Sequence, residues 1–118
     1  MTSDFFTRAE MLCRCGCGAS DMDPELVAKL TTLRTRLGRA VVVTSGRRCP
    51  EHNTAIGGKQ GSEHLTGHAV DVRTLSARER YEVVVEGLRA GFTRVGVARE
   101  FVHLGNSPTH PPGCVWVY

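Results

Sequence analysis

No apolar run in this sequence approaches the roughly 18–20 residues that a membrane-spanning helix needs, so nothing reads as inserting into a bilayer. No block of Lys or Arg is longer than two, and the net charge is only +3. That is far from the basic stripe or tail of a nucleic-acid binder, so no nucleic-acid partner is expected. Internal repeats and low-complexity linkers are also missing. The start, Met1-Thr2-Ser3-Asp4-Phe5-Phe6, lacks a basic segment followed by an apolar one and does not read as a secretory signal, which implies synthesis in the cytoplasm. What is left is a chain of 118 residues, a length that fits one domain. A chain of this size buries well over ~60% of its unfolded surface, enough for a core without staples. The expected domain spans residues 1–118, as a monomer, with a Cys-rich segment 1–22 packed onto it.

Against that plain background one stretch is rich in chemistry: Ser62-Glu63-His64-Leu65-Thr66-Gly67-His68-Ala69-Val70-Asp71. A second imidazole follows in Glu100-Phe101-Val102-His103. Two His and one Asp, neutral nitrogen plus hard oxygen, suit one catalytic Zn2+ that keeps a position open for water. A carboxylate just upstream of the last His suits a general base. Spacing selects the ligands. Gly67 to Arg73 reads as a strand, along which side chains alternate between faces. Asp71 then shares a face with Ala69 and Arg73, whereas His68 points the other way. His64 precedes Gly67, in a loop that can fold back over the Asp71 face. His64 and Asp71 are therefore the expected ligands, and His68 is not.

Upstream lies Val42-Val43-Thr44-Ser45-Gly46-Arg47-Arg48-Cys49-Pro50-Glu51-His52-Asn53, then Gly57-Gly58. With Ser62-x-His64-x-x-Gly67-x-Ala69-x-Asp71 and the distal Phe101-Val102-His103, this resembles the zinc D-Ala-D-Ala carboxypeptidases and peptidoglycan peptidases. That superfamily also holds lysostaphin-type enzymes and the hedgehog signalling domain. The resemblance covers roughly Cys13 to Leu104. It implies zinc ligands His64, Asp71 and His103, and Glu100 as the catalytic carboxylate. It implies that Arg48 polarises the scissile carbonyl or holds a substrate carboxylate. Ser62 becomes a supporting or substrate-contacting hydroxyl. The implied partner is a stem or cross-bridge peptide of peptidoglycan containing D-amino acids, cut by a carboxypeptidase or endopeptidase reaction. Delivery to the wall would then follow a phage lysis, virion or non-classical route. The alternative is a non-catalytic zinc-binding recognition or virion structural module of the same fold, which needs no base. Two departures stand out. Many relatives carry an Asp two residues after the last His, where this chain has Gly105, so the oxygen that accepts the free N–H of His103 has no assigned source. Glu100 and His103 also have opposite strand parity and converge only across a bend or bulge.

The elements expected around the site begin with a helix capped by Asp23, with Pro24 at its first position and a stripe of Leu26, Leu30, Leu33 and Leu37, ended by Gly38. A strand spans Ala40 to Thr44, a short turn of helix Pro50 to Ile56, and a loop Gly57 to Ser62. A second helix starts at Ser76 with Glu79 as a capping box; Tyr81, Val84 and Leu88 face inward and Gly91 closes it. Strands follow near 93–97, 101–104 and 115–118. This order suggests an α+β fold with helices packed on one face of a largely antiparallel sheet, as the hedgehog/D-Ala-D-Ala peptidase resemblance also implies.

The remaining residues of chemical interest read more plainly. Cys13-Arg14-Cys15-Gly16-Cys17 packs three thiols into five residues, with Cys49 and Cys114 apart. Three readings stand: a structural zinc held by four sulfurs, one or two disulfides, or small reduced groups. The first is disfavoured because Cys-x-Cys-x-Cys is tighter than the usual spacing of structural zinc sites. Glu63 reads as a solvated loop carboxylate, His110 as solvated, His52 as a surface-turn residue, and Trp116 as an anchor.

Overall fold

A computed structural model describes residues 5–118; the start of the chain, read above as lacking a secretory signal, lies partly outside them. The element order is α1 (Arg8–Met11), α2 (Pro24–Leu37), β1 (Val43–Ser45), α3 (Pro50–Ala55), a 3-10 turn (Glu63–Thr66), β2 (Ala69–Arg73), α4 (Ala77–Ala90), β3 (Arg94–Val97), β4 (Phe101–Gly105) and β5 (Cys114–Val117). Among the described residues the strands form one sheet in the order β1-β2-β4-β3-β5. Three pairings are antiparallel, and β3 with β5 is parallel. No helix among the described residues is long and apolar enough to cross a membrane.

Alternation along the strands gives the sheet two different faces. Val70 and Val72 of β2, Val102 and Leu104 of β4 and Val95 of β3 are buried and join one apolar cluster with α2 and α4. The stripe on α2 explains its place there: Leu26, Leu30 and Leu33 are fully buried and Leu37 packs at the margin. Truncating one such leucine to alanine typically costs about 2–5 kcal/mol. Asp23 caps α2 by accepting from the Leu26 N–H, and Gly38 ends it in the left-handed region. The fold is α+β, with both long helices contributing to the core on one sheet face.

On α4 the expected inward face holds for Val84, which packs against the core, and is corrected for Tyr81 and Leu88. Tyr81 is 68% exposed and Leu88 is also exposed, whereas Val83 and Gly87 are buried. Helix and sheet meet at Gly87, where an added Cβ would lie 2.9 Å from a methyl of Leu104. The closest approach thus falls at a glycine, which a search for large apolar residues passes over. Ser76 caps the helix as expected, but the Glu79 carboxylate accepts from Leu75 rather than from Ser76.

The opposite face of the sheet carries polar and aromatic residues. Asp71 pairs with His103 in register, Arg73 with Phe101, and Gly96 with both His103 and Trp116. The β1–β2 pairing is irregular between Val43 and Ser45. That break brings Ser45, Gly46 and Arg48 to the edge of the Asp71 face.

Candidate metal centre

His64, Asp71 and His103 converge on the polar face, and all three are buried. His64 sits in the 3-10 turn. Ser62 caps that turn, its hydroxyl accepting the His64 N–H at 3.2 Å. Gly67 ends it at φ +76°, where a Cβ would overlap the Asp21 carbonyl. A glycine is required there on both grounds. Asp71 comes from the middle of β2 and His103 from the middle of β4, on the same face. His68 is directed elsewhere: its Nδ1 pairs with the Thr66 hydroxyl at 2.8 Å, and its Nε2 lies 4.0 Å from Asp23.

Hydrogen bonding orients each imidazole. His64 Nδ1 lies 2.7 Å from the Gly46 carbonyl, which can only accept, so this nitrogen carries the proton. Its Nε2 faces Asp71 Oδ1 at 3.2 Å. His103 Nε2 donates to Glu63 at 2.6 Å, turning Nδ1 toward the same Asp71 oxygen at 3.3 Å. Two ring nitrogens thus face one carboxylate oxygen, an arrangement that needs positive charge between the atoms. This donor set fits a zinc ion: two imidazole nitrogens with outward N–H groups tied to oxygen, plus one carboxylate oxygen. Arg48 occupies the other Asp71 oxygen at 3.2 Å and is fixed by Ser45 at 3.1 Å and Asn53 at 3.1 Å.

The electrostatics follow from these contacts. Burial opposes ionisation of Asp71, yet His103 and His64 outweigh it and hold the carboxyl well below the usual range. Burial likewise opposes charge on His103, but Asp71 and Glu63 raise its pKa.

Glu63 is not a solvated loop carboxylate. It is 2% exposed and receives His103 Nε2, Arg94 Nε at 3.0 Å and the Ser107 N–H at 3.2 Å. Burial opposes its ionisation, but these donors win and its pKa is lowered. A Cβ on Gly105 would overlap this carboxylate. Glu63 thus fills the space of a side chain at 105 and supplies the oxygen that His103 needs. The missing partner at Gly105 was the available sequence signal.

Glu100 lies at the bend before β4 and is exposed. Among the described residues no hydrogen bond or ion pair links its carboxylate to His64, Asp71 or His103. It lines a surface depression with Arg73, Thr74, Arg80 and Phe101. Arg73 and Phe101 are the next residues along the polar face from Asp71 and His103, so this depression continues the same face. Trp116 flanks the centre from the other side, its ring 5.0 Å from His103 and under the Arg94 guanidinium. Gly96 leaves room for that indole. His110 is not free in solvent: it joins Ser107 Oγ and the Gly61 carbonyl, each at 2.7 Å.

A family model described as Peptidase M15 matches residues 4–105. No curated protein matches the chain.

Proposed function

Because the chain belongs to the peptidase M15 family, the zinc D-Ala-D-Ala carboxypeptidases, we propose that it hydrolyses amide bonds of D-amino-acid-containing peptidoglycan peptides. The observation that carries the reading is the convergence of His64 Nε2 and His103 Nδ1 on Asp71 Oδ1, with each outward nitrogen committed to an oxygen. His64, Asp71 and His103 are the residues that would hold zinc. Bound there, the ion supplies Lewis-acid activation of water and of the scissile carbonyl near neutral pH.

The protein's own groups do the rest. Gly46 and Glu63 fix the two rings so that both inward nitrogens face Asp71 Oδ1. Glu63 is saturated by three donors and faces the outward nitrogen of His103, so it positions that ring and is not available as a base. Glu100 remains the carboxylate for proton transfer: it takes a proton from the attacking water and delivers it to the leaving nitrogen. Its exposed place beside the depression supports access to water and substrate. The Arg48 guanidinium, beside Asp71, polarises the carbonyl or pairs with a substrate carboxylate. Ser62 supports the His64 turn, and its hydroxyl can also meet substrate. Trp116 and Tyr118 form an aromatic wall next to His103.

Digestion of purified muropeptides by the zinc-loaded protein, read by mass spectrometry, tests this function. Release of a terminal D-alanine marks a carboxypeptidase, and a cut inside the peptide an endopeptidase. Zinc binding with no cleavage of any muropeptide would support a recognition module instead.

A further inference from the structure

A second cluster of metal-ligating side chains lies outside this centre. Cys13 Sγ is 3.5 Å from Cys15 Sγ and 3.8 Å from Cys49 Sγ, and Cys15 Sγ is 3.6 Å from Cys49 Sγ. Cys17 completes the group: all four sulfurs lie within 4.8 Å of one another. None is in a disulfide, which would need a separation of about 2.05 Å. Four sulfurs about 2.3 Å from a tetrahedral ion are separated from one another by about 3.8 Å. The separations among Cys13, Cys15 and Cys49 fall at or just inside that edge length.

Simple packing of small apolar thiols does not account for the arrangement. Cys15 and Cys17 are exposed, so their gathering removes little surface from water. Backbone donors also point at sulfur. The Cys49 N–H lies 3.4 Å from Cys13 Sγ, and the His52 N–H 3.4 Å from Cys49 Sγ. The tight Cys-x-Cys-x-Cys spacing is accommodated by Gly16, whose φ of +85° turns the chain between Cys15 and Cys17.

We propose that Cys13, Cys15, Cys17 and Cys49 form a closed structural site for one zinc ion, separate from His64, Asp71 and His103. Four thiols lose their protons to solvent and four sulfur–zinc bonds form, with no change of oxidation state. Four protein ligands leave no open position, so the role is structural. What the site fastens follows from Cys49. It directly follows Arg48 and caps α3, which carries Asn53, and both Arg48 and Asn53 belong to the support of Asp71. The ion would pin the N-terminal segment onto that support.

The test counts metal on the full chain, purified without chelator, by mass spectrometry of the elements. Wild type should carry two zinc ions per chain. The His64→Ala/His103→Ala variant should keep one, and Cys15→Ser/Cys17→Ser should keep one. One ion that survives the histidine changes and leaves with the cysteine changes would support this site while overturning the other. One ion that leaves with the histidine changes would overturn this proposal. As a check that does not depend on folding of the cysteine variant, cobalt replaces zinc in wild type and in the histidine variant. Intense sulfur-to-cobalt charge-transfer absorption in both is expected. Its absence, or a disulfide among these four residues in the freshly purified chain, would contradict the site.

Discussion

Glu63 holds His103: its carboxylate lies 2.6 Å from the ring's outward nitrogen, in space that only a glycine at position 105 leaves open. The oxygen behind the ligand thus comes from the turn that bears His64 rather than from the strand that bears His103. The two halves of the centre are coupled through it.

That coupling predicts a rescue. Glu63→Ala removes the acceptor and leaves His103, Arg94 and the Ser107 N–H short of a partner. Zinc affinity, measured by chelator competition, should fall about 10–100-fold. Gly105→Asp in the Glu63→Ala background should restore most of it. Gly105→Asp alone should destabilise, because it sets a second carboxylate against Glu63. Additive effects would show that the two positions do not share the space.

Glu100→Gln keeps size and polarity but cannot accept a proton. Muropeptide hydrolysis should slow by about 10²–10⁴-fold, with zinc content and thermal unfolding unchanged. Retained activity would remove Glu100 from the mechanism.

Arg48 has two possible tasks that kinetics separate. If it polarises the scissile carbonyl, Arg48→Gln should lower kcat by about 10²–10³-fold. If it holds a substrate carboxylate, KM should rise and kcat should change little. An unchanged kcat/KM would exclude both.

Gly67→Ala tests the turn beneath His64. The left-handed backbone costs a non-glycine residue about 1–2 kcal/mol. The overlap with the Asp21 carbonyl adds roughly 1–3 kcal/mol. Tm should fall by about 8–20 °C in a thermal scan. A wild-type Tm would mean that the Asp21–Met22 segment does not sit against the turn.

Much of this architecture was legible because it rests on local rules. The cap at Asp23, the leucine stripe of α2 and the parity of β2 each read correctly from neighbouring residues. Parity separated Asp71 from His68, and the turn at Gly67 brought His64 to the Asp71 face. What escaped depends on distant partners. Glu63 looks like a loop carboxylate until His103, 40 residues on, and Arg94, 31 residues on, are brought to it. The inward face of α4 was misjudged at Tyr81 and Leu88 because the helix meets the sheet at Gly87, where the missing side chain lets Leu104 approach. The four-thiol cluster was discounted because Cys-x-Cys-x-Cys is tighter than the usual spacing, which the left-handed backbone at Gly16 accommodates.

Diffraction from zinc-loaded crystals, with anomalous data across the zinc absorption edge, tests the centre most directly. The account predicts one ion within about 2.0–2.2 Å of His64 Nε2, His103 Nδ1 and an Asp71 oxygen, with Glu63 still on His103 Nε2. Zinc found only among the cysteines, or held by His68, would contradict it.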